Sequence, residues 1–186
     1  MLTPSQTLGP FFSFSLTAKP LGQMRQSETA GEPVHLSIRL FDGEGTPVPD
    51  GIIELWQADA AGKYEHPEDK QPHSADPTFC GFGRMATDAA GTCLFETIRP
   101  GRVPGVPKSS QAPHINVIVL ARGMLLPLFT RIYFAGDPAN SEDSVLAMVA
   151  EDRRPTLFAQ PDAGRPGTWN FDIRLCGDRE TVFFDL

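Results

Sequence analysis

Prolines and glycines interrupt this chain so often that no long helix fits between them: 18 and 17 respectively among 186 residues. Proline lacks the amide hydrogen a helix needs and glycine resists being fixed in one, so the segments between them are short. Several alternate apolar and polar residues with period two, the pattern of a half-buried strand. In VHLSIRLF, Val34, Leu36, Ile38 and Leu40 share one face, with His35, Ser37 and Arg39 opposite. WNFDIRL repeats the pattern with Trp169, Phe171, Ile173 and Leu175 inward. GIIELWQA (51–58), CLFETI (93–98), HINVIVLA (114–121), PLFTRIYF (127–134) and the closing TVFFDL read as further strands. Roughly seven short strands with turn signals between them predict an all-β domain, a two-sheet β-sandwich with long loops and one short helix. The length suits a single domain over residues 1-186.

The one helical segment has Asn140 or Ser141 to cap it, Glu142 and Asp143 in a first turn, and Val145, Leu146, Met148 and Val149 as an apolar stripe, with Pro155 as its bound. Two loops break the rhythm of strands. Residues 59–83 carry Tyr64, His66, His73 and Cys80, and residues 99–113 are rich in Pro, Gly and Ser. Loops of that length in a compact domain are often functional. The net charge of −7, without a basic run, argues against a nucleic-acid partner. Cys80, Cys93 and Cys176 have no metal-like spacing and read as free thiols of a reducing compartment. With no signal-like start and no apolar run of about 20 residues, the expected location is cytoplasmic. The stretch GPFFSFSL holds Phe11, Phe12 and Phe14, which must pack either on the chain's own sheets or on a partner. Residues 1-33 are read as an extended N-terminal segment packed on a partner subunit.

Few side chains offer chemistry. In PHINVIVL, His114 and Asn116 project from the same face of a strand, because residues i and i+2 do so. Two histidines so placed would hold one metal, whereas a neutral amide is a poor ligand for a transition metal. Taken alone, His114 is either a satisfied strand-start histidine or a ligand. Tyr64, after a glycine turn, is either a packed loop tyrosine or a phenolate ligand for a trivalent ion. His66 and His73 share its loop at a spacing that matches no known site type, although Tyr64, His66 and His114 could form a rearranged ligand set of their own. No nucleophile elbow, phosphate loop or Cys-x-x-Cys pair is present.

The segments ELWQADAAGKY (54–64), TDAAGTCLFETIRPGRVPG (87–105) and QAPHINV (111–117), in that order, resemble the intradiol ring-cleaving dioxygenases. TPSQTLGPFF, LARGMLLPLFTRIYF and ETVFFDL narrow the resemblance to the subunits of that family that accompany an iron-bearing (beta) partner. The resemblance implies that catalytic chains hold non-haem Fe(III) through two tyrosines and two histidines. Carried onto this chain, those positions are Tyr64, Val103, His114 and Asn116, so a phenolate and an imidazole are missing, and Gln111 stands where the catalytic chains have an arginine. It therefore implies no metal and no catalytic residue in this chain alone. It implies iron held by the partner beta subunit, a hetero-oligomer, and substrate-facing positions at Thr7, Gly9, Pro10 and Arg122. The substrate so implied is a catechol bearing a carboxylate, cleaved with O2. Arg122 suits that carboxylate physically, since a guanidinium binds it with two parallel hydrogen bonds. A transthyretin-like binding or structural module, to which the turns DGEGTPVPDG and TDAAGTCLFETI are also similar, is the alternative.

Overall fold

The computed structural model describes residue 7 and residues 9–105 and 110–185. Its strands are β1 (Pro33–Phe41), β2 (Ile52–Trp56), β3 (Phe82–Ala86), β4 (Thr92–Ile98), β5 (Val103–Pro104), β6 (Ser110–Gln111), β7 (His114–Leu120), β8 (Leu128–Phe134), β9 (Phe158–Pro161) and β10 (Thr168–Arg174). Eight of them form one sheet in the order β3-β2-β7-β8-β9-β10-β1-β4, and β5 pairs with β6 in a separate ribbon. The protein is thus mostly β, as its periodicity predicts. The two sheets expected from the sequence are joined into one near-barrel by β9, which runs parallel to β8 through Tyr133 and Phe134 and antiparallel to β10 through Trp169 and Asn170.

The apolar sets of the two halves meet inside. Leu36, Ile38 and Leu40 of β1, Phe95 of β4 and Phe171 and Ile173 of β10 pack in one cluster with Ile53 and Leu55 of β2 and Val117 and Val119 of β7. Beside β9, Phe134 and Trp169 meet edge to face at 5.0 Å, a favoured aromatic geometry.

The gap between edge strands β3 and β4 is closed from the N-terminal side. Leu21 exchanges backbone hydrogen bonds with Arg84 of β3, Met24 donates to Glu96 of β4, and Glu96 donates back to Gly22. Met24 is buried in the core. Residues 1-33 depart from a wholly extended segment. Pro10–Thr17 is a helix, α1, where proline at its first position has no amide hydrogen to leave unsatisfied. Residues 21–24, extended as expected, are spent on the chain's own sheet edges. Phe11 and Phe14 of α1 are exposed, and the side chains of Pro10 and Phe12 lie outside the described set.

The predicted helix forms in two pieces. A 3-10 turn over Pro138–Glu142 leads into α2 (Ser144–Met148), which is capped by Asp143 instead of Asn140 or Ser141. The Asp143 carboxylate accepts from the amides of Val145 and Leu146, which fixes the helix start one turn later than the sequence suggested. Leu146 and Val149 are buried, but Met148 is exposed. The sequence reading also passed over β3 and β9, and TVFFDL makes only an isolated bridge between Phe184 and Phe129.

Gly22 is the tightest point of the closing strip: a Cβ there would lie 2.8 Å from the Leu94 carbonyl oxygen and 2.9 Å from the Met85 sulfur. Gly22→Val should therefore cost roughly 1–3 kcal/mol in urea unfolding. A variant as stable as the parent would show that the strip does not close the sheet.

Candidate functional site

The two long loops meet where neither has room for a side chain. Gly62, at φ +81°, lies with its α-carbon against the Arg102 carbonyl, and a Cβ on Gly101 would come 2.5 Å from the amide nitrogen of Gly62. Positive φ and this close approach both require glycine at position 62. The first loop is knotted by buried polar groups. Asp59 accepts from the amides of Ala61, Lys63 and Asp76. The Lys63 ammonium is held by the Asp69 carboxylate at 3.1 Å and by the carbonyls of Asp69 and Gln71. Asp69 also accepts from the amide of Tyr64, so Tyr64 is fixed at the backbone. Hydrogen bonds from the amides of Gln71 and Tyr64 and from Lys63 hold the Asp69 carboxyl well below the usual carboxylate range, against a desolvation that acts the other way.

Sheet register supplies the floor. Trp56, Asn116 and Arg131 are direct cross-strand neighbours on β2, β7 and β8, and His114 stands opposite Tyr133. The Asn116 amide donates to the Trp56 carbonyl and to the Tyr64 phenol oxygen, each at 3.2 Å, and the carbonyl fixes which end of the amide faces the phenol. Tyr64 stacks on Trp56 with ring centroids 5.8 Å apart. His114 is buried, and its Nδ1 donates to the Ala112 carbonyl at 2.8 Å, leaving Nε2 as the acceptor. Burial and the nearby Arg131 guanidinium push His114 down to about 4, so the ring is neutral at pH 7. Burial raises Tyr64 above the ordinary phenol value and raises Tyr133 further.

Tyr64, Val103, Gln111, His114 and Arg131 line one cleft of about 540 Å³. The structure therefore gathers Tyr64, Val103, His114 and Asn116, all the positions that the resemblance brings together. It does not gather His66 and His73 with them. His66 is exposed, edges against Trp56 and accepts from the Glu68 amide through Nδ1. His73 is exposed.

The donor set does not suit ferric ion. Tyr64 and His114 are the two candidate ligand side chains, and the third position carries a carboxamide whose N–H points at the phenol. The fourth carries a buried valine. The Arg131 guanidinium adds a positive charge in the same cleft, which opposes a trivalent cation. Among the described residues no group of three or more His, Cys, Asp or Glu side chains is arranged to hold a metal.

Arg122, Thr7 and Gly9 are elsewhere. Arg122 follows the far end of β7, eight residues from His114, or about 26 Å along an extended chain. It is exposed and paired with Asp50 at 2.8 Å. The Thr7 hydroxyl accepts from the Gly123 amide at 2.9 Å, so the N-terminal segment passes beside Arg122. Gly9 caps α1, and among the described residues no atom lies within 4 Å of where its Cβ would be. Sequence reasoning missed Arg131 and Asp143. Arg131 carried a signal, a charge inside the apolar run PLFTRIYF, but only the register puts it beside Asn116. Asp143 joins the Ala112 amide, the Tyr133 hydroxyl and α2, linkages that no local pattern announces.

A dioxygenase family model matches residues 8–177. The protocatechuate 3,4-dioxygenase alpha chain of Burkholderia cepacia is 41% identical over 198 residues, covering 99% of this chain and 97% of that one. The beta chain from the same organism is 34% identical over 161 residues, covering 83% of this chain and 68% of that one. Among solved structures, the dioxygenase domain of a dioxygenase–carbohydrate-binding fusion from Streptomyces sp. SirexAA-E superposes with a TM-score of 0.65 at 28% identity, covering 97% of this chain and 99% of that chain.

Both tyrosines of the sequence have raised values, so the folded chain should show little tyrosinate absorbance at 295 nm near pH 10, where a free phenol is half ionised. Stability from these groups is complete below pH 10 and lost as pH rises through the folded values, and both phenols should ionise with alkaline unfolding. An ordinary titration of either in the native chain would contradict the burial described.

His114 has the opposite sign. Its folded value is depressed, so the unfolded chain takes up the proton first as pH falls from about 6.5 toward about 4, and stability declines across that window. Chemical denaturation at pH 7 and pH 4.5 should show the decline in the parent and less of it in His114→Gln.

Proposed function

The chain belongs to the intradiol ring-cleaving dioxygenase family, and from that premise we propose that it is the iron-free alpha chain of a protocatechuate 3,4-dioxygenase-type complex. In this reading it completes the pocket for O2-dependent cleavage of 3,4-dihydroxybenzoate at Fe(III) held by the beta chain. One observation carries the proposal: the Asn116 amide, hydrogen-bonded to the Tyr64 phenol, stands where a second imidazole would have to be. A chain that keeps the scaffold and lacks half the ligands fits the role of a subunit that serves a partner's iron.

The geometry supports a division of labour between the ends of β7. The cleft lies at the His114 end, and Arg122, Thr7 and Gly9 lie at the other. Among the described residues Arg122 is tied only to Asp50, through side chains 70% and 62% exposed. Such a pair contributes little, so a substrate carboxylate can displace Asp50. Leu125 and Leu126, which follow Arg122 in the chain, and Phe11 and Phe14 of α1 are all exposed. Clustered exposed apolar side chains mark interaction surfaces, and the beta chain is the partner that family membership supplies.

Co-expression with an iron-bearing beta chain should give an active heteromer, whereas this chain alone should bind no stoichiometric iron. In that heteromer, Arg122→Ala should lower kcat/KM by roughly 10- to 100-fold, chiefly through KM, as expected for loss of a charge-assisted hydrogen bond. Unchanged turnover with intact assembly would remove Arg122 from the pocket and favour a transthyretin-like module remote from chemistry.

A further inference from the structure

The cleft between Tyr64 and Arg131 has the attributes of a binding site in its own right. Arg131 is half-buried, and among the described residues no carboxylate approaches it within ion-pair distance. Its Nη1 donates to the Gln111 side-chain oxygen at 2.7 Å and reaches the Tyr133 hydroxyl at 3.5 Å. Both partners are neutral, and they occupy one nitrogen of the fork. The buried Asp143 carboxylate reaches it only through the Tyr133 hydroxyl and is already shared among the amides of Ala112, Val145 and Leu146. A half-buried guanidinium with no carboxylate in direct contact is costly, and an anion that enters the cleft relieves that cost.

The acidic groups nearby do not fill this role. Asp69 is consumed by Lys63, by the amides of Tyr64 and Gln71 and by the Gln71 side chain. Glu68 faces solvent with Lys70, 3.8 Å away, through side chains 80% and 74% exposed. The buried His114 lines the same cleft, and its Nε2 has no protein partner among the described residues. The Tyr64 phenol accepts from Asn116 and retains its own O–H to donate. Val103, Pro104 and the Tyr64 ring give the same cleft apolar surface. Charge at one place, a donor and an acceptor at others, and flat apolar walls between them describe a site for a small aromatic acid.

We propose that this cleft is a ligand site of the chain itself, binding a small aromatic carboxylate whose carboxylate pairs with Arg131 and whose ring lies against Tyr64 and Val103. The site is separate from the Arg122 end, at the opposite end of β7, and it stands whether or not the chain serves a partner's iron. Its geometry calls for no metal.

Calorimetric titration of the full chain with benzoate tests it. The parent should bind one benzoate per chain, at least 10-fold more tightly than acetate, and inorganic phosphate should not displace it. Arg131→Gln, which keeps a polar group of similar reach, should weaken benzoate at least 10-fold while leaving the unfolding midpoint close to the parent's. Arg131→Lys, which keeps the charge and loses the fork, should fall between them and decides the matter if the glutamine variant misfolds. Where the chain is soluble only with an iron-bearing partner, benzoate sites are counted per pair, and changing Arg131 should remove one while Arg122→Ala leaves that one in place. No saturable benzoate binding in the parent, binding that ignores the Arg131 substitutions, or equal affinity for acetate and phosphate would each overturn the proposal.

Discussion

The hydrogen bonds that residues 21–24 exchange with β3 on one side and β4 on the other hold the rest of the structure in place. Without them, the eight-stranded sheet is an open ribbon whose halves are joined only through β9. With them, the inner faces of both halves are pressed into one shared core, and Met24 is driven into it. Directional bonds set the closure and apolar burial supplies the driving force, as in β-barrel packing generally. The loops that carry Tyr64 and Val103 inherit their positions from that closed frame.

At the cleft, the same backbone geometry that would serve a metal serves a set of neutral hydrogen bonds. Asn116 occupies a rung between Trp56 and Arg131, and its amide satisfies both a carbonyl and a phenol. Buried polar groups must be paired, and here the Asn116 N–H groups and the Trp56 carbonyl are paired without an ion. The positive charge of Arg131 on the adjoining rung then reverses the electrostatic preference of the pocket, from cations to anions.

Much of this was legible in the sequence, for reasons that can be named. Period-two alternation in VHLSIRLF and WNFDIRL places Ile38 and Phe171 inside because each strand has one wet face. Loops 59–83 and 99–113 are recognisable from their glycines and prolines, and the family resemblance implies Tyr64, Val103, His114 and Asn116 as one group. What could not be read were facts of register and closure. Nothing local says that β9 bonds to both halves, that residues 21–24 bridge the two edges, or that Asp143 is the helix cap while also holding Ala112 and Tyr133. α1 carries no such signal, since Gly9 and Pro10 look like breakers, although proline suits a first helical position. Short strands such as β3 and β9 carry too few residues for periodicity to show.

The arrangement of β7 has a broader meaning. A change at the His114 end need not disturb the Arg122 end, because about 20 Å of paired backbone in β7 lies between the two. One end of such a sheet can then drift in sequence while the other stays under constraint. A protein of this shape can cease to be a catalyst in isolation and still be retained by selection.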